Sequence, residues 1–340
     1  MVALKSHDHI MPRFIVNLVV AYLRFEIAVM KKCSKANGQS CCMRYCNRRE
    51  MRLRRALNDW LRVRMQKIDS AVAKHTSATR KANRKQNSKG RPKSPLCQAA
   101  LATERTLWTV KLAQRPKSFW YPYPTMGNVG VLERLMASTG LDLVQLCRGP
   151  HGKIADIGAA DGDLAFFLER TGFSVDAIDF ESTNLNRMEG IRILKDALNS
   201  TVRIHSIDLD SQFSLPSESY DTIFLLGILY HLKNPFLILE RLAQLTKYCF
   251  VSTRIAKQTA DGQSLSPYPI AYLLGPKECN NDNTNFWIFS EEGLKRLIDR
   301  TGWNVLSYVT IGDTTNSTPA DPHHDERAFC LLESKAYPIS

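Results

Sequence analysis

The sequence lacks both a secretory leader and an apolar run long enough to cross a membrane. Its most apolar early stretch, residues 14–30, is interrupted by Asn17, Arg24 and Glu26 and is short for a membrane span. No signal-peptide cleavage pattern follows this stretch. We therefore expect a cytoplasmic protein whose nine cysteines are reduced thiols, because disulfides are rare in that compartment.

Paired cysteine ligands are missing as well. Cys33, Cys41, Cys42 and Cys46 lie close together in the sequence, but they form no Cys-x-x-Cys pair and have no histidine between them. Structural zinc sites typically use such pairs. The cluster therefore favours free cysteines over a zinc site, and we predict no metal centre.

Acidic residues are scarce in the first hundred positions. Residues 1–100 hold 23 lysines and arginines against 5 aspartates and glutamates, a net charge of +18, whereas residues 101–340 hold 23 against 28, a net charge of −5. This asymmetry predicts a basic N-terminal arm and linker, residues 1–100, followed by a mildly acidic enzyme-like domain, residues 101–340. The arm is expected to be partly helical and partly disordered.

Two stretches of the arm have contrasting compositions. In residues 48–67, leucines and a tryptophan recur at helical spacing among arginines, which fits a basic amphipathic helix that weakly contacts RNA or another acidic surface. A solvated or unstructured segment is the alternative there. Residues 75–96 contain almost nothing to bury, which is typical of a disordered linker.

The domain does contain one strongly patterned stretch, from Lys153 to Asp179. Its pattern predicts a strand, a turn with two glycines, a helix and a second strand, at residues 154–157, 158–162, 163–171 and 174–178. Such a unit is typical of a doubly wound sheet, which binds its ligand beyond the carboxyl ends of the strands.

The turn carries carboxylates as well as glycines. Asp156 precedes it and Asp161 lies within it. A pyrophosphate needs N–H groups without nearby carboxylates, so the turn favours a cationic ligand with an amino-acid end. Asp179 follows Gly158 by 21 positions, close to the spacing of roughly 20 residues at which an acidic residue binds a ribose. A nucleoside with a cationic amino-acid tail, S-adenosylmethionine, meets these requirements.

The segment Asp156-Ile-Gly-Ala-Ala-Asp-Gly162, together with Asp179, resembles the cofactor site of class I S-adenosylmethionine-dependent methyltransferases. The usual pattern there is Asp/Glu-x-Gly-x-Gly-x-Gly, and Ala160 replaces the middle glycine. A nicotinamide-binding turn would need Gly-x-Gly-x-x-Gly, which is absent. The resemblance implies an α/β fold with a doubly wound, Rossmann-like seven-stranded sheet and helices on both faces. The implied cofactor-binding residues are Asp156, Gly158, Ala160, Gly162, Asp179, Asp208, Leu209 and Gly227.

Asp208 follows a predicted third strand, residues 202–207. The resemblance implies that a carboxylate at this strand end contacts the adenine amino group of the cofactor. A solvated loop acid is the alternative.

The sequence Gly227-Ile-Leu-Tyr-His231, with Asn-Pro shortly after it, follows a predicted fourth strand. It resembles the tRNA wobble-uridine carboxymethyltransferase group within the superfamily, and so does the aromatic stretch 285–290. That group holds a carboxylated cofactor with an arginine just before the aromatic stretch, but residues 281–285 contain none. Because a buried carboxylate needs a cationic partner, we predict ordinary S-adenosylmethionine as the cofactor.

The candidate catalytic residues are Tyr230 and His231, which the strand order places where acceptor meets cofactor. His231 either accepts a proton, since its reference pKa is about 6.5, or only hydrogen-bonds the loop backbone. Residues 117–125 combine four aromatic residues with two prolines and either wall a pocket or pack over the sheet. The candidate substrate-binding residues are Trp120, Tyr121, Tyr123, Asn285 and Trp287.

Three functions follow from these features. The first is a methyltransferase for a small-molecule acceptor, with residues 119–123 as a lid over the site. The second is an RNA methyltransferase whose arm binds phosphates and whose target base is flipped into the pocket. The third is a non-catalytic S-adenosylmethionine-binding module, which the intact set of Asp156, Gly158 and Asp179 disfavours. The acidic domain favours the small-molecule acceptor.

Overall fold

The computed structural model describes residues 94–337, apart from positions 115, 118, 124, 212 and 281. The predictions for residues 48–67, for residues 75–93 and for the cysteine cluster therefore lie outside the described residues. The first described helix begins at Pro95 and is capped by Ser94, whose Oγ accepts a hydrogen bond from the N–H of Cys97 at 3.1 Å. The domain boundary at residue 100 stays a prediction.

The strands are β1 Lys153–Ile157, β2 Ser174–Asp179, β3 Arg203–Ser206, β4 Tyr220–Leu226, β5 Thr246–Ile255, β6 Ala271–Leu273, β7 Trp287–Phe289, β8 Trp303–Gly312 and β9 Glu326–Ser334. In the described part of the chain these nine strands form one mixed sheet. Strands β1 to β5 are parallel in the order β3-β2-β1-β4-β5, and β9 pairs antiparallel with β5 and then with β8. These seven strands confirm the predicted doubly wound sheet.

Two short strands, β6 and β7, were absent from the prediction. They pair with each other antiparallel, and Phe289 of β7 pairs with Ile255 of β5. The pairing of β4 with β5 ends earlier, at Leu226 and Ser252. Strand β7 therefore lies just beyond the carboxyl end of β4, which brings the segment before it to the turn that follows β4.

Hydrophobic cores lie on both faces of the sheet because successive side chains of its buried strands point to opposite sides. Ile154 and Phe224 belong to one core, where the ring of Phe224 stacks on that of Phe250 at 5.0 Å between centroids. Ala155 and Ile223, their neighbours in sequence, belong to the other core. The apolar runs of β1 and β4 are thus buried on both sides.

The helices are α1 Pro95–Ala113, α2 Val129–Thr139, α3 Leu143–Cys147, α4 Asp163–Arg170, α5 Glu189–Leu198, α6 Pro235–Leu245 and α7 Glu291–Arg300. Gly140, whose φ is 72°, ends α2 and separates it from α3. Helix α5 begins at Glu189, directly after Arg187 and Met188, which both have positive φ. Within the described range, no helix is long and apolar enough to cross a membrane.

Candidate functional site

The glycine turn joins β1 to α4 at the carboxyl edge of the sheet. Gly158 and Gly162 have φ angles of 80° and 82°, a conformation that favours glycine. A Cβ on Gly158 would lie 2.0 Å from Cγ1 of Ile228, and a Cβ on Gly162 would lie 2.6 Å from Cγ1 of Ile191. Backbone conformation and close side-chain packing therefore both require glycine at these positions.

Ala160, which replaces the middle glycine, also has a positive φ of 53°. This conformation costs an L-residue about 1–2 kcal/mol. The N–H of Ala160 donates to Oδ2 of Asp179 at 2.8 Å, and a hydrogen bond to a charged group contributes about 1.5–3 kcal/mol. The bond to Asp179 thus offsets the strain and holds alanine in a conformation suited to glycine.

Asp179 ends β2 and directs its carboxylate at the turn. Oδ1 accepts from the N–H of Phe180 at 2.7 Å, and Oδ2 accepts from Nδ2 of Asn184 at 3.1 Å as well as from Ala160. Burial raises the pKa of Asp179, while these N–H donors lower it. A carboxylate offers about four acceptor sites, so one on Oδ1 remains for a ligand hydroxyl.

Asp208 lies next to Asp179 at the adjoining strand end. The N–H of Ile207 donates to the backbone oxygen of Asp179 at 2.8 Å, which positions the residue after it. Oδ1 of Asp208 accepts from the N–H of Asp210 at 3.1 Å, and Leu209 is buried in the core beneath. The backbones of the two acids are therefore close together, and the roles of their side chains toward a nucleoside stay predictions.

Asp156 is buried within β1, with 3% of its surface exposed. Burial, reinforced by the charge of Asp179, raises the pKa of Asp156 to about 7. Its Oδ2 atom has no hydrogen-bond partner among the described residues. Because an unpartnered buried carboxylate oxygen is costly, this atom is suited to a cationic donor on a ligand.

Asp161 contacts the protein itself, which corrects the expectation that it helps attract a cationic ligand. Its Oδ1 accepts from Nδ2 of Asn186 at 2.7 Å, and its Oδ2 accepts from the N–H of Tyr121 at 2.8 Å. Nζ of Lys111, on α1, lies 3.4 Å from Asp161 and 2.8 Å from Asp163. Asp161 therefore ties the turn to α1 and to the aromatic segment.

Two of the predicted aromatic residues, Trp120 and Tyr123, contact other residues of the protein. Nε1 of Trp120 donates to the backbone oxygen of Lys111 at 3.0 Å, and Nζ of Lys111 lies 5.6 Å from the centre of the indole. Trp120 thus packs against α1. Tyr123 is 64% exposed, and its ring lies 5.7 Å from that of Tyr121.

Tyr121 is the third predicted aromatic residue, and its phenol is mostly buried. Burial raises the pKa of its phenol, and the neighbouring Asp179 and Tyr230 raise it further. The N–H of Tyr121 donates to Oδ2 of Asp161 at 2.8 Å, which holds the residue against the glycine turn.

Tyr230 and His231 lie in a short 3-10 helix, Leu229–His231, that follows β4 and Gly227. Gly227 has a φ of 74° and turns the chain there. Tyr230 is 8% exposed, and its ring centroid lies 4.2 Å from that of His231. Nη1 of Arg327 donates to the hydroxyl of Tyr230 at 3.4 Å. A phenol, an imidazole and a guanidinium thus meet at the end of β4.

The segment before β7 covers this turn. The N–H of Phe286 donates to the backbone oxygen of Tyr230 at 2.8 Å, and Nδ1 of His231 lies 3.0 Å from the backbone oxygen of Thr284. Burial lowers the pKa of His231, and the positive charge of Arg327 lowers it further. His231 is therefore neutral near pH 7, as a proton acceptor must be.

The other two candidate substrate-binding residues contact backbone groups of the protein. Asn285 is buried, and its Nδ2 donates to the backbone oxygen of Cys279 at 3.1 Å. Nε1 of Trp287 donates to the backbone oxygen of Lys233 at 3.3 Å. Their roles toward a substrate stay predictions, and it is Thr284, between the two predicted regions, that contacts His231.

A family model described as a methyltransferase domain matches residues 131–308. The chain belongs to this methyltransferase family. The match covers more than half of the sequence and includes the glycine turn and the turn after β4.

Solved structures with similar folds have low sequence identity to this methyltransferase. The N-terminal domain of EvdMO1, crystallised with SAH and D-fucose, is 15% identical with a TM-score of 0.43, covering 68% of this chain and 96% of that one. TehB from Haemophilus influenzae is 19% identical with a TM-score of 0.39, covering 54% and 57%. The cyclase SpnF is 13% identical with a TM-score of 0.43, covering 72% and 98%. A search of curated proteins finds no match.

Sequence reasoning about this methyltransferase missed Arg327. Strand β9 is antiparallel to β5, so it begins at the edge where the parallel strands end, and Arg327 is its second residue. A charged residue at the start of the last strand is the sequence signal that could have identified Arg327. Ordinary cofactor was predicted because residues 281–285 have no arginine, but Arg327 supplies a guanidinium beside Tyr230. A cation is therefore present near the site, and Nε of Arg327 lies 3.3 Å from Oδ2 of Asp325.

Proposed function

We propose that the protein is an S-adenosylmethionine-dependent methyltransferase that acts on a small-molecule acceptor. The observation that carries this proposal is the grouping of side chains at one edge of the sheet. Asp156 lies in β1 and Asp179 ends β2, while Tyr230 and His231 lie beyond β4. The N–H of Tyr121 donates to Asp161 in the turn after β1. A nucleoside cofactor and an acceptor can meet there.

The residues at this edge fit S-adenosylmethionine. The unpartnered Oδ2 of Asp156 is suited to the ammonium group of the amino-acid tail, and the open acceptor site of Asp179 is suited to a ribose hydroxyl. Asp208 is the candidate for the adenine amino group. Three carboxylates disfavour a pyrophosphate-containing cofactor. When bound, S-adenosylmethionine supplies a methyl group on a positively charged sulfur.

The protein contributes alignment, exclusion of water and a proton acceptor. Methyl transfer is an in-line displacement, so holding the acceptor in place supplies much of the rate enhancement. Tyr230 is buried and forms a wall beside His231. Neutral His231 accepts a proton from an acceptor whose nucleophilic atom carries one at working pH. For an acceptor without such a proton, His231 acts as a wall of the site.

An RNA base is the second candidate acceptor, and two observations favour it. Residues 1–100 carry a net charge of +18, which attracts phosphate. The sequence Gly227-Ile-Leu-Tyr-His231 resembles the tRNA wobble-uridine carboxymethyltransferase group. The net charge of −5 on residues 101–340 opposes it, because the domain that holds the site repels phosphate at long range.

The test of the proposed function uses cofactor labelled on its methyl group. The purified full chain is incubated with cell extract, which is then separated into RNA, protein and small-molecule fractions. We expect label in the small molecules. Label in RNA would establish the second candidate. The control is the protein with both His231→Gln and Asp179→Ala. If the wild type labels no fraction more strongly than this variant does, methyl transfer is contradicted.

The identity of the cofactor is tested by titrating S-adenosylmethionine and its carboxylated analogue into the full chain. We expect S-adenosylmethionine to bind at least as tightly, because Nε of Arg327 already lies 3.3 Å from Oδ2 of Asp325. The matched variant is Arg327→Met. A preference for the analogue that disappears in this variant would assign Arg327 to the extra carboxylate and overturn the choice.

A further inference from the structure

His231, Thr284 and Asp282 form a hydrogen-bonded chain at the edge of the site. Oγ1 of Thr284 donates to Oδ1 of Asp282 at 2.7 Å, and the N–H of Thr284 donates to the same oxygen at 2.9 Å. Nδ1 of His231 lies 3.0 Å from both the backbone oxygen and Oγ1 of Thr284. Two oxygens of one residue therefore converge on one nitrogen of the imidazole.

The hydrogen positions in this chain follow from the acceptors. A backbone carbonyl only accepts, and the hydroxyl hydrogen of Thr284 is already directed at Asp282. Both oxygens thus present lone pairs, so Nδ1 of His231 must carry a hydrogen. A neutral imidazole has a hydrogen on one nitrogen only, which leaves the lone pair on Nε2. Among the described residues, Nε2 of His231 has no hydrogen-bond partner. It does not belong to the buried side-chain atoms that lack a partner, so it is accessible to solvent.

We propose that Thr284, held by Asp282, is a positioning residue that fixes His231 as the Nδ1–H tautomer and makes Nε2 the proton acceptor of the methyl-transfer site. This inference rests on the proposed function, and it assigns a role to two residues that sequence reasoning left out.

The proposed step balances in atoms and charge. Nε2 of His231 takes the proton from the acceptor's nucleophilic O–H or N–H while that atom forms its bond to the methyl carbon. The electron pair of the broken carbon–sulfur bond stays on sulfur. The resulting imidazolium keeps its Nδ1–H bond to Thr284, and it returns the extra proton from Nε2 to water.

The charged groups facing His231 come from more than one element. Asp282, in the segment before β7, raises the pKa of His231, while Arg327, on β9, lowers it, and burial lowers it most. The ring of Tyr230 covers one side of the imidazole. The negative charge of Asp282 stabilises the imidazolium after proton transfer, and burial with Arg327 keeps the resting imidazole neutral.

The tautomer is measured by nitrogen NMR on the full chain labelled in histidine. The sequence has 8 histidines, and the signals lost in His231→Gln assign this residue. At pH 8 we expect Nδ1 to carry the hydrogen and Nε2 to be bare. In Thr284→Val the population ratio of the Nε2–H tautomer to the Nδ1–H tautomer should rise about fivefold, which is the effect of losing one hydrogen bond. Thr284→Ser keeps the hydroxyl and should match the wild type.

Two results would overturn the inference. One is a wild-type His231 that carries its hydrogen on Nε2, and the other is a Thr284→Val protein whose tautomer ratio equals that of the wild type. S-adenosylhomocysteine titration of each variant checks that its site is intact. The NMR signals need no acceptor, so a failure to find methyl transfer would contradict the proposed function without changing the tautomer result.

Discussion

At the scale of single residues, three aspartates near one turn have different chemistry because their partners differ. Asp161 is paired with Lys111 and two N–H donors, whereas Asp179 is held by N–H donors alone. Asp156 is buried with one oxygen unpartnered. Sequence shows three carboxylates at suitable spacing, but the direction of each side chain depends on contacts with α1 and the aromatic segment, which are distant in sequence.

Asp179→Ala should weaken the binding of S-adenosylhomocysteine by about tenfold or more. The reason is the loss of a charge-assisted hydrogen bond to the ribose, which contributes about 1.5–3 kcal/mol. The same change also frees the N–H of Ala160, so the turn becomes less ordered. Calorimetric titration measures the affinity, and the melting temperature reports folding. Glu181→Gln, an exposed carboxylate on the same loop, is the matched control and should bind normally. Unchanged affinity in a folded Asp179→Ala protein would remove Asp179 from the site.

Asp156 should make the free energy of unfolding pH-dependent. Its pKa is about 7 in the folded protein and about 3.9 when unfolded. Below pH 4 both states are protonated and the full stabilisation is present. As pH rises from about 4 to 7 the unfolded state ionises first, so the unfolding free energy falls by about 1.4 kcal/mol per pH unit.

Urea unfolding of wild type and Asp156→Asn between pH 4.5 and 8.5 tests this pH dependence. The difference in unfolding free energy, wild type minus variant, should fall with rising pH and level off above about pH 7. Asparagine does not titrate and keeps the size of the side chain, so contributions from other groups cancel. Parallel curves for the two proteins would show that Asp156 has an ordinary pKa.

At the scale of elements, sequence patterns are informative where a strand or a helix end is formed by residues that are neighbours in the sequence. The runs of β1 and β4, the glycine that ends α4 and the caps of α6 and α7 are all formed by neighbouring residues. Oδ1 of Asn234 accepts from the N–H of Leu237 at 3.1 Å, and Oγ of Ser290 accepts from the N–H of Gly293 at 3.0 Å. Strands β6 and β7 were missed because each has three residues and exists through pairing with distant segments.

The glycine turn offers a test that separates steric contact from backbone strain. Gly158→Ala and Gly172→Ala both place alanine at positive φ, 80° and 98°, at a cost of about 1–2 kcal/mol. Only Gly158→Ala adds a clash, since its Cβ would lie 2.0 Å from Ile228, whereas the atom nearest to a Cβ at Gly172 is Nη2 of Arg148 at 3.8 Å. We expect Gly158→Ala to be destabilised by a further ~1–3 kcal/mol.

Urea unfolding measures both glycine variants, and the double variant Gly158→Ala with Ile228→Ala isolates the clash. In the Ile228→Ala background, Gly158→Ala should then lower the free energy of unfolding by no more than Gly172→Ala does in the wild type. Equal losses for the two single variants would mean that Ile228 moves aside and that only φ requires glycine at position 158.

At the scale of the whole molecule, the site combines segments that are far apart in the chain. The glycine turn, Asp179, Tyr230 and His231 could be predicted as site residues from sequence because each lies at the end of a strand with a recognisable pattern. Arg327 contacts Tyr230, 97 positions away, and Thr284 contacts His231, 53 positions away. Lys111 contacts Asp163, 52 positions away. An isolated arginine, threonine or lysine carries no pattern of its own. The family match ends at residue 308, before Arg327.

The charge asymmetry of the chain gives the last prediction, which concerns the acceptor. Residues 1–100 carry +18 and residues 101–340 carry −5, so an RNA acceptor would have to be attracted by the arm. Deleting residues 1–93 leaves the Ser94 cap of α1 in place and removes the whole net charge of +18. RNA binding should then weaken and lose salt dependence, by about 0.7 in log–log slope for each lost phosphate contact on a single strand.

For a small-molecule acceptor, which we favour, the truncated protein should methylate as fast as the full chain, with little effect of salt on either. S-adenosylhomocysteine affinity should be equal in the two proteins, which serves as the control for folding. The measurement is the rate of methyl transfer to the labelled fraction at 50 and 200 mM salt. Loss of all activity in a truncated protein that still binds S-adenosylhomocysteine would contradict the small-molecule acceptor, because only an acceptor that depends on the arm explains that result.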